Sequence, residues 1–197
     1  MSRVGQIQYV TRADERSVDL RGAVSPHRAG IIGGLVAVQA GAPRILTGIV
    51  AGPVSIAVDR RTAPPIVVVD GWEDVAEISC APDEDADAVV AAGPYAAAPG
   101  PQSALRLPDE GWFRLRVHAR YRDARYDLIA TEPHEEYLLV TWPAQPEAPA
   151  VLAASSHMAR DFEGRAEQPT KPTSDPTLDQ RAQELFRLRA ERHRRRL

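Results

Sequence analysis

The sequence has very little cysteine, lysine and aromatic side chain. Cys80 is the single cysteine, which excludes an intrachain disulfide and a structural zinc site of the kind that several cysteines build. Lys171 is the single lysine, and the other basic residues are arginines. Aromatic residues make up 6% of the chain, so a core has to be built mainly from small and β-branched residues. One cysteine in an apolar strand pattern is typical of a buried core residue.

Long hydrophobic runs and a strong net charge are also missing. The longest apolar stretch, residues 29–38, is too short and too rich in glycine to span a membrane. Residues 1–8 are polar and do not resemble a signal peptide, so we expect a cytoplasmic protein without a membrane partner. The net charge of −3 gives no global reason to expect binding to nucleic acid or to anionic lipid.

Short segments of β-type composition fill the first part of the chain. They are bounded by Gly, Pro, Asp or Arg, and they cover residues 5–11, 17–21, 34–39, 45–50, 54–60 and 66–69. Short strands that are separated by turn residues at this spacing are typical of a β-sandwich or barrel. We therefore predict an all-β fold.

The strongest alternation of polarity lies in residues 111–120. A period of two places one set of side chains inward, namely Phe113, Leu115, Val117 and Ala119. The outward set consists of Trp112, Arg114, Arg116, His118 and Arg120. Residues 75–80 alternate in the same way: one face carries Val75, Glu77 and Ser79, and the other carries Ala76, Ile78 and Cys80. Residues 135–142 are apolar on both faces, which predicts a central strand that is covered on both sides.

The composition changes after residue 145. We predict an antiparallel β-sandwich over residues 1–145, a proline-rich linker over residues 146–176, and an amphipathic, arginine-rich helix over residues 177–197. The helix starts either at Thr177, with Gln180 completing a capping box, or at Asp175, with Pro176 in the first helical position. Its apolar stripe consists of Leu178, Ala182, Leu185 and Leu188.

No catalytic arrangement stands out in the sequence. Ser155, Ser156 and His157 are adjacent, but they fall in the predicted linker and the sequence places no carboxylate beside them. The five histidines are not spaced as metal ligands, and residues 30–34 have neither the glycine spacing nor the Lys-Ser/Thr ending of a phosphate loop. We therefore expect no catalytic residue, no cofactor, no metal site and no enzyme activity.

Two charged clusters are candidates for a contact surface. Seven acids lie within fifteen residues, namely Glu73, Asp74, Glu77, Asp83, Glu84, Asp85 and Asp87. They either occupy a basic cleft of a partner, as a mimic of a nucleic-acid backbone, or keep an edge strand from aggregating. Arg114, Arg116, His118 and Arg120 form a ladder on one sheet face. This ladder is either solvated and cross-paired with acids of the neighbouring strand, or it docks an acidic partner.

The predicted C-terminal helix is the third candidate. Its arginines, with Arg187 and Arg194 as candidate contacts, suit a phosphate backbone, an acidic groove of another protein, or the acidic loop of the chain itself. The amphipathic pattern fits a helix in a groove. Nucleic acid is therefore a candidate partner of this helix alone.

Three blocks within residues 66–144 carry a family resemblance. They are residues 70–79 (DGWEDVAEIS), 105–120 (LRLPDEGWFRLRVHAR) and 135–144 (EEYLLVTWPA). The blocks resemble uncharacterised β-sandwich proteins of GC-rich bacteria. Their order, with a leucine-proline turn before a long alternating strand, also resembles the competence-associated nuclease inhibitors. This second resemblance implies a nuclease inhibitor that acts through an acidic surface.

The sequence thus leads to two functional expectations. The first is a non-enzymatic protein-binding module, of the inhibitor or immunity type, whose partner is a nuclease or a toxin. The alternative is a structural or assembly subunit, which docks on a neighbouring protein or on nucleic acid through its arginine-rich C-terminal helix.

Overall fold

The computed structural model describes residues 4–83, 86, 88–97, 99–100, 103–105 and 111–166. Within these residues the chain is mainly β. The elements are β1 (Val4–Ala13), β2 (Ser17–Arg21), β3 (Ala23–Val24), β4 (Gly30–Ile32), β5 (Val36–Gln39), β6 (Ala42–Leu46), β7 (Gly52–Arg60), β8 (Asp74–Pro82), β9 (Val90–Ala92), β10 (Phe113–Arg120), β11 (Glu136–Pro143), β12 (Ala150–Ala154) and α1 (His157–Ala166).

The strands form two sheets that share one hydrophobic core. Sheet A has the order β1-β7-β11-β10-β8-β12, with the short β3 paired to the end of β8. Sheet B has the order β4-β5-β6-β2-β9. The core draws on both sheets, for example Val18 and Ile45 from sheet B and Ile56 and Leu115 from sheet A. The all-β prediction is therefore confirmed, with the two packed sheets that a sandwich requires.

The alternation predicted for β10 and β8 is confirmed. The inward residues of β10, from Phe113 to Ala119, all belong to the core, as do Ala76, Ile78 and Cys80 of β8. Cys80 is completely buried, as expected for a small core residue, and burial raises the pKa of its thiol. Strand β11 lies between β7 and β10 in the centre of sheet A, as its two apolar faces predict.

One strand pair contradicts the prediction of a wholly antiparallel fold. Strands β7 and β11 are parallel, with Ser55 opposite Glu136 and Ala57 opposite Leu138. Strand β7 pairs with β1 from the first part of the chain, whereas β11 belongs to the later run of β8, β10 and β11. The alternation of side chains along a strand is the same whether the strand runs parallel or antiparallel to its neighbour. The sequence therefore does not predict that β7 and β11 pair in parallel.

Several predicted boundaries were also wrong. Residues 66–69 form no strand, and β6 ends at Leu46 rather than at residue 50. The predicted linker contains β12, which pairs with β8, and helix α1. Its prolines lie on either side of these elements rather than within them, so composition alone was misleading. Residues 167–197, including the predicted helix over 177–197, lie outside the described residues, as do residues 106–110.

Helix α1 is packed closely onto the turn between β4 and β5. Met158 and Ala159 are buried there. Gly34 has a φ of +59°, and a Cβ atom at this position would come within 2.5 Å of the Cα atom of Ala159. Glycine is therefore required at residue 34, both by the backbone conformation and by the close approach of the helix.

Candidate protein-binding face

The arginine ladder of β10 lies on the outer face of sheet A, but it is buried there. Arg114, Arg116 and His118 are each only 3% exposed. Strand β8 places Glu77 directly opposite Arg116, and places Ser79, two residues further along, opposite Arg114. The Glu77 carboxylate accepts hydrogen bonds from Nε of Arg116 at 2.6 Å and from Nε of Arg114 at 3.2 Å. The arginines of the ladder are therefore paired with an acid of the neighbouring strand, as expected, but they are not exposed to solvent.

Two segments of the chain cover these side chains. The first strap, residues 61–70, crosses Arg116, whose guanidinium donates to the carbonyls of Ile66 at 3.1 Å and of Pro65 at 3.4 Å. The second strap, residues 143–149, crosses Arg114, whose guanidinium donates to two of its carbonyls at 3.1 and 2.8 Å. The prediction that Arg114, Arg116 and His118 form a contact surface is therefore wrong, because their donors are bound inside the chain.

Aromatic rings complete this covered region. The guanidinium of Arg116 lies 5.1 Å from the centre of the Trp142 ring, and that of Arg120 lies 5.0 Å from the centre of the Trp72 ring. The Trp72 ring also contacts the imidazole of His118, with ring centres 5.3 Å apart. Such cation–π contacts add to the ion pairs and hold the planar side chains in fixed orientations.

Three of the seven predicted acidic contacts are also bound internally. Asp74 is completely buried and pairs with Arg122, and Glu77 pairs with the arginine ladder. Glu73 is half-buried, and its carboxylate accepts a hydrogen bond from the backbone of Arg122 at 2.9 Å. The prediction of Asp74 and Glu77 as a contact surface is wrong, because the folded chain supplies their cationic partners. Glu73 stays a prediction, because the partner of its carboxylate is a backbone N–H, which is not a cation. Asp83 is half-buried, while Glu84, Asp85 and Asp87 lie outside the described residues.

Arg122 is the centre of a buried polar cluster that joins β12 and α1 to the two sheets. Its side chain is completely buried and pairs with Asp74. It also donates to the carbonyls of Gly34 at 2.8 Å and of Leu46 at 3.1 Å. Asp74 in turn accepts hydrogen bonds from the backbone of Ser155 and Ser156 at 2.9 and 3.1 Å, just before α1. Nothing in the sequence distinguishes this arginine from its neighbours.

A second buried carboxyl, Glu135, lies beside this cluster. It accepts hydrogen bonds from the backbone of Ile49 at 2.7 Å and of Gly48 at 3.2 Å, and from the hydroxyl of Tyr137. Burial raises the pKa of Glu135, although these bonds and the charge of Arg122 oppose the shift. Burial also raises the pKa of Tyr137, so its hydroxyl remains a donor. Because Arg122 and Glu135 are both completely buried, we interpret the cluster as structural.

Two histidines give the fold a pH dependence. Burial lowers the pKa of His118 and of His27, and the nearby Arg116 and Arg114 respectively act in the same direction. His27 accepts a hydrogen bond from the backbone of Ser79 at 2.9 Å, which requires a neutral ring nitrogen. The folded chain therefore holds both rings neutral, whereas the unfolded chain protonates them near their ordinary value of about 6.5.

We expect the free energy of unfolding to fall as the pH drops through about 6.5, with a slope of up to about 1.4 kcal/mol per pH unit for the buried His118. Urea unfolding between about pH 7.5 and 5.5 measures this slope. A His27→Asn/His118→Gln double variant should show a weaker dependence. Glu135 contributes with the opposite sign, so wild type and variant are compared at each pH. Equal slopes in both proteins would contradict the assignment.

The part of the outer face over β7 remains open. A groove of 430 Å³ lies there, with Ser55 and Ala57 as its floor. One rim is the edge strand β1, and the other is formed by β11, β10 and Trp72. The outward side chains that line the groove are Gln6, Gln8 and Val10 on β1, Glu136 and Leu138 on β11, and Arg120 on β10. The groove therefore follows the strand direction.

Arg120 is the member of the predicted ladder that reaches this groove. Its Nε atom donates to Glu136 at 2.9 Å, and its guanidinium lies 5.0 Å from the centre of the Trp72 ring and 5.1 Å from the centre of the Tyr121 ring. Among the described residues, no hydrogen bond is formed by Nη1 of Arg120 or by Oε1 of Glu136. An ion pair with an unused donor and an unused acceptor is thus presented in the groove.

The serine and histidine residues considered as nucleophile and base do not bond to each other. The Ser155 hydroxyl donates to the carbonyl of Glu73 at 2.8 Å, and the Ser156 hydroxyl accepts from the backbone of Ala159 as the N-cap of α1. His157 instead pairs with Asp161 at 3.4 Å. Within the described part of the chain, no group of three or more His, Cys, Asp or Glu side chains is arranged to hold a metal ion.

Arg187 and Arg194 lie outside the described residues, so the alternative of a basic docking helix stays a prediction from the sequence. None of the helices in the described part of the chain has the length and the apolar character that crossing a membrane requires. Comparisons with protein-family models, with curated proteins and with solved structures found no match to this chain.

Proposed function

We propose that this chain is a non-enzymatic protein-binding module that holds an extended segment of a partner protein in the groove over β7. The observation that carries the proposal is the contrast across one sheet face. The straps cover the β10 and β8 side of the outer face, where the arginine ladder lies. The β1 and β7 side remains open and is lined by hydrogen-bonding side chains.

The shape and chemistry of the groove favour an uncharged, extended polypeptide. Gln6, Gln8 and Ser55 offer neutral donors and acceptors, and the charges of Arg120 and Glu136 cancel each other. The small floor residues leave a channel parallel to the strands, as the main chain of an extended segment requires. Its volume of 430 Å³ lies within the usual range of ligand sites.

The partner class expected from the sequence, a nuclease or a toxin, remains part of this proposal through the family resemblance. The contact surface differs from the one that the resemblance implies. Since Asp74 and Glu77 are paired with arginines of the same chain, and the Glu73 carboxylate accepts a backbone hydrogen bond, we propose the groove rather than the acidic cluster as the place of contact.

Filling the groove provides the test. A library of linear peptides is selected by display against the wild-type protein, and the affinity of the enriched peptides is measured by calorimetry. An Ala57→Trp substitution places an indole on the groove floor and should weaken binding by at least about tenfold, or about 1.4 kcal/mol. Ala42→Trp, at an exposed position of sheet B, is the matched control and should leave the affinity unchanged.

Thermal unfolding verifies that both variants are folded. Peptides that bind wild type and Ala57→Trp equally well would contradict the groove as the contact site. A selection that enriches no peptide would contradict the proposed function itself.

A further inference from the structure

Sheet A ends at β1, and the outer edge of this strand has no partner strand in the described part of the chain. Strand β1 has ten residues, whereas β4, β9 and β12, which form the other ends of the two sheets, have three, three and five. Its bulge lies near the start, between Val4 and Ile7, so residues 7–11 are regular. Edge strands are usually protected by charges or by proline, and residues 4–11 contain neither. This edge therefore favours pairing with another strand.

The pairing of β7 shows which backbone groups of β1 are free. The N–H of Ser55 donates at 3.0 Å to the carbonyl just before β11, so the backbone of Ser55 faces β11. Successive residues of a strand direct their backbone groups to opposite sides, so Ile56 faces β1 and its register partner Tyr9. The backbone groups of Gln8 and Val10 therefore point away from the sheet, and none of the described residues forms a hydrogen bond with them.

The far end of the same edge is already in use. Asp14 directs its backbone to the same side and exchanges two hydrogen bonds with Ser17, at 3.1 and 2.8 Å. A Cβ atom at Gly93 would overlap the carbonyl oxygen of Arg12, so this carbonyl is covered. The side chain of Val10, in contrast, is 57% exposed. The open stretch of the edge therefore lies before Arg12.

We propose that β1 pairs with β1 of a second copy of this chain, antiparallel about a two-fold axis that passes beside Tyr9. In this register Gln8 of each copy lies opposite Val10 of the other, and both residues direct their backbone groups toward the contact. Each such pair exchanges two N–H···O=C bonds, so the contact contains four. The inference goes beyond the proposed function and does not depend on it.

The chemistry of the strand favours a second copy over a charged partner. One strand supplies the donors and the acceptors, as a two-fold contact between identical surfaces requires. Residues 4–11 are uncharged, and the register places Arg12 opposite Gln6 of the second copy, so no like charges meet. Tyr9 lies opposite Tyr9 of the second copy, and its hydroxyl is already held by the carbonyl of Ala91 at 2.8 Å. Pairing occupies the free edge of both copies, so assembly ends at a dimer.

Sedimentation velocity of the full chain, over a series of protein concentrations, tests the inference. Wild-type protein should show a concentration-dependent dimer. Val10→Pro removes an outward N–H and should weaken dimerisation by at least about tenfold. Val10→Thr keeps the backbone donor and the branched shape, and is the matched control that should dimerise nearly as well as wild type.

A pair of charged variants tests the register and verifies folding at the same time. Gln8→Lys/Val10→Lys places lysines opposite each other, and Gln8→Glu/Val10→Glu does the same with carboxylates, so each protein alone should be monomeric. An equimolar mixture of the two should form a one-to-one dimer, which only folded chains can do.

Three results would overturn the inference. The first is a wild-type protein that stays monomeric at every concentration. The second is a dimer that persists unchanged in Gln8→Lys/Val10→Lys, which would place the contact elsewhere. The third is a mixture of the two charged variants that contains folded monomers alone, which would exclude the proposed register.

Discussion

Replacing Arg122 by methionine should lower the free energy of unfolding by about 3–5 kcal/mol, because the substitution leaves a completely buried carboxylate without its partner. Arg122 pairs with Asp74, and neither side chain is exposed to solvent. The same guanidinium satisfies the carbonyls of Gly34 and Leu46, which would also lose a donor. A loss of this size is a large fraction of the stability of an ordinary domain.

Urea unfolding measures the effect, and the chain provides a matched control. Arg125 lies on the same connection between β10 and β11 but is exposed, so Arg125→Met should change stability by no more than about 0.5 kcal/mol. Adding Asp74→Asn to Arg122→Met should restore part of the loss, since the amide retains an acceptor for the backbone of Ser155 and Ser156. Equal stability of the Arg122→Met and Arg125→Met variants would show that the buried pair contributes nothing.

Glu77→Gln should have an effect of similar size, about 3–5 kcal/mol, for a related reason. Glu77 is the shared carboxylate between Arg114 and Arg116, whose side chains are each only 4% exposed. Without its charge, two buried guanidinium groups would face each other with one neutral acceptor between them. Because Arg116 also holds the first strap, the strap should become more accessible to proteolysis in this variant.

Glu136→Gln is the matched control for Glu77→Gln. Its carboxylate also pairs with an arginine of β10, Arg120, but both side chains are substantially exposed, at 43% and 36%. Exposed pairs typically contribute only about 0–1 kcal/mol, so this variant should remain nearly as stable as wild type. If the two substitutions cost the same, burial would not govern the strength of these ion pairs.

The sequence predicted those parts of the fold that depend on the alternation of apolar and polar side chains along a strand. The inward set of β10, from Phe113 to Ala119, and the central position of β11 follow from which faces are apolar, and both are confirmed. The parallel pairing of β7 with β11 and the position of β12 were missed. These features depend on how the chain travels between strands, and local periodicity carries no information about that path.

The candidate site was predicted less well than the fold. Alternation correctly placed Arg114, Arg116 and His118 on the outer face of sheet A, but it did not show that two irregular, proline-containing segments cover them. The sequence did not predict the groove, because its floor residues, Ser55 and Ala57, are small and common residues that do not indicate a binding site. Their small size matters only once both neighbouring strands are in place.

The parallel contact between β7 and β11 also has a consequence for how the molecule is assembled. When β7 leaves the ribosome, its later neighbour β11 has not yet been synthesised, and only the pairing with β1 is available. Contacts between such distant parts of the sequence form slowly, because a long loop has to close first. Until β11 pairs with it, the backbone N–H and C=O groups on this edge of β7 are open to other nascent chains, so early assembly depends on protection of that edge.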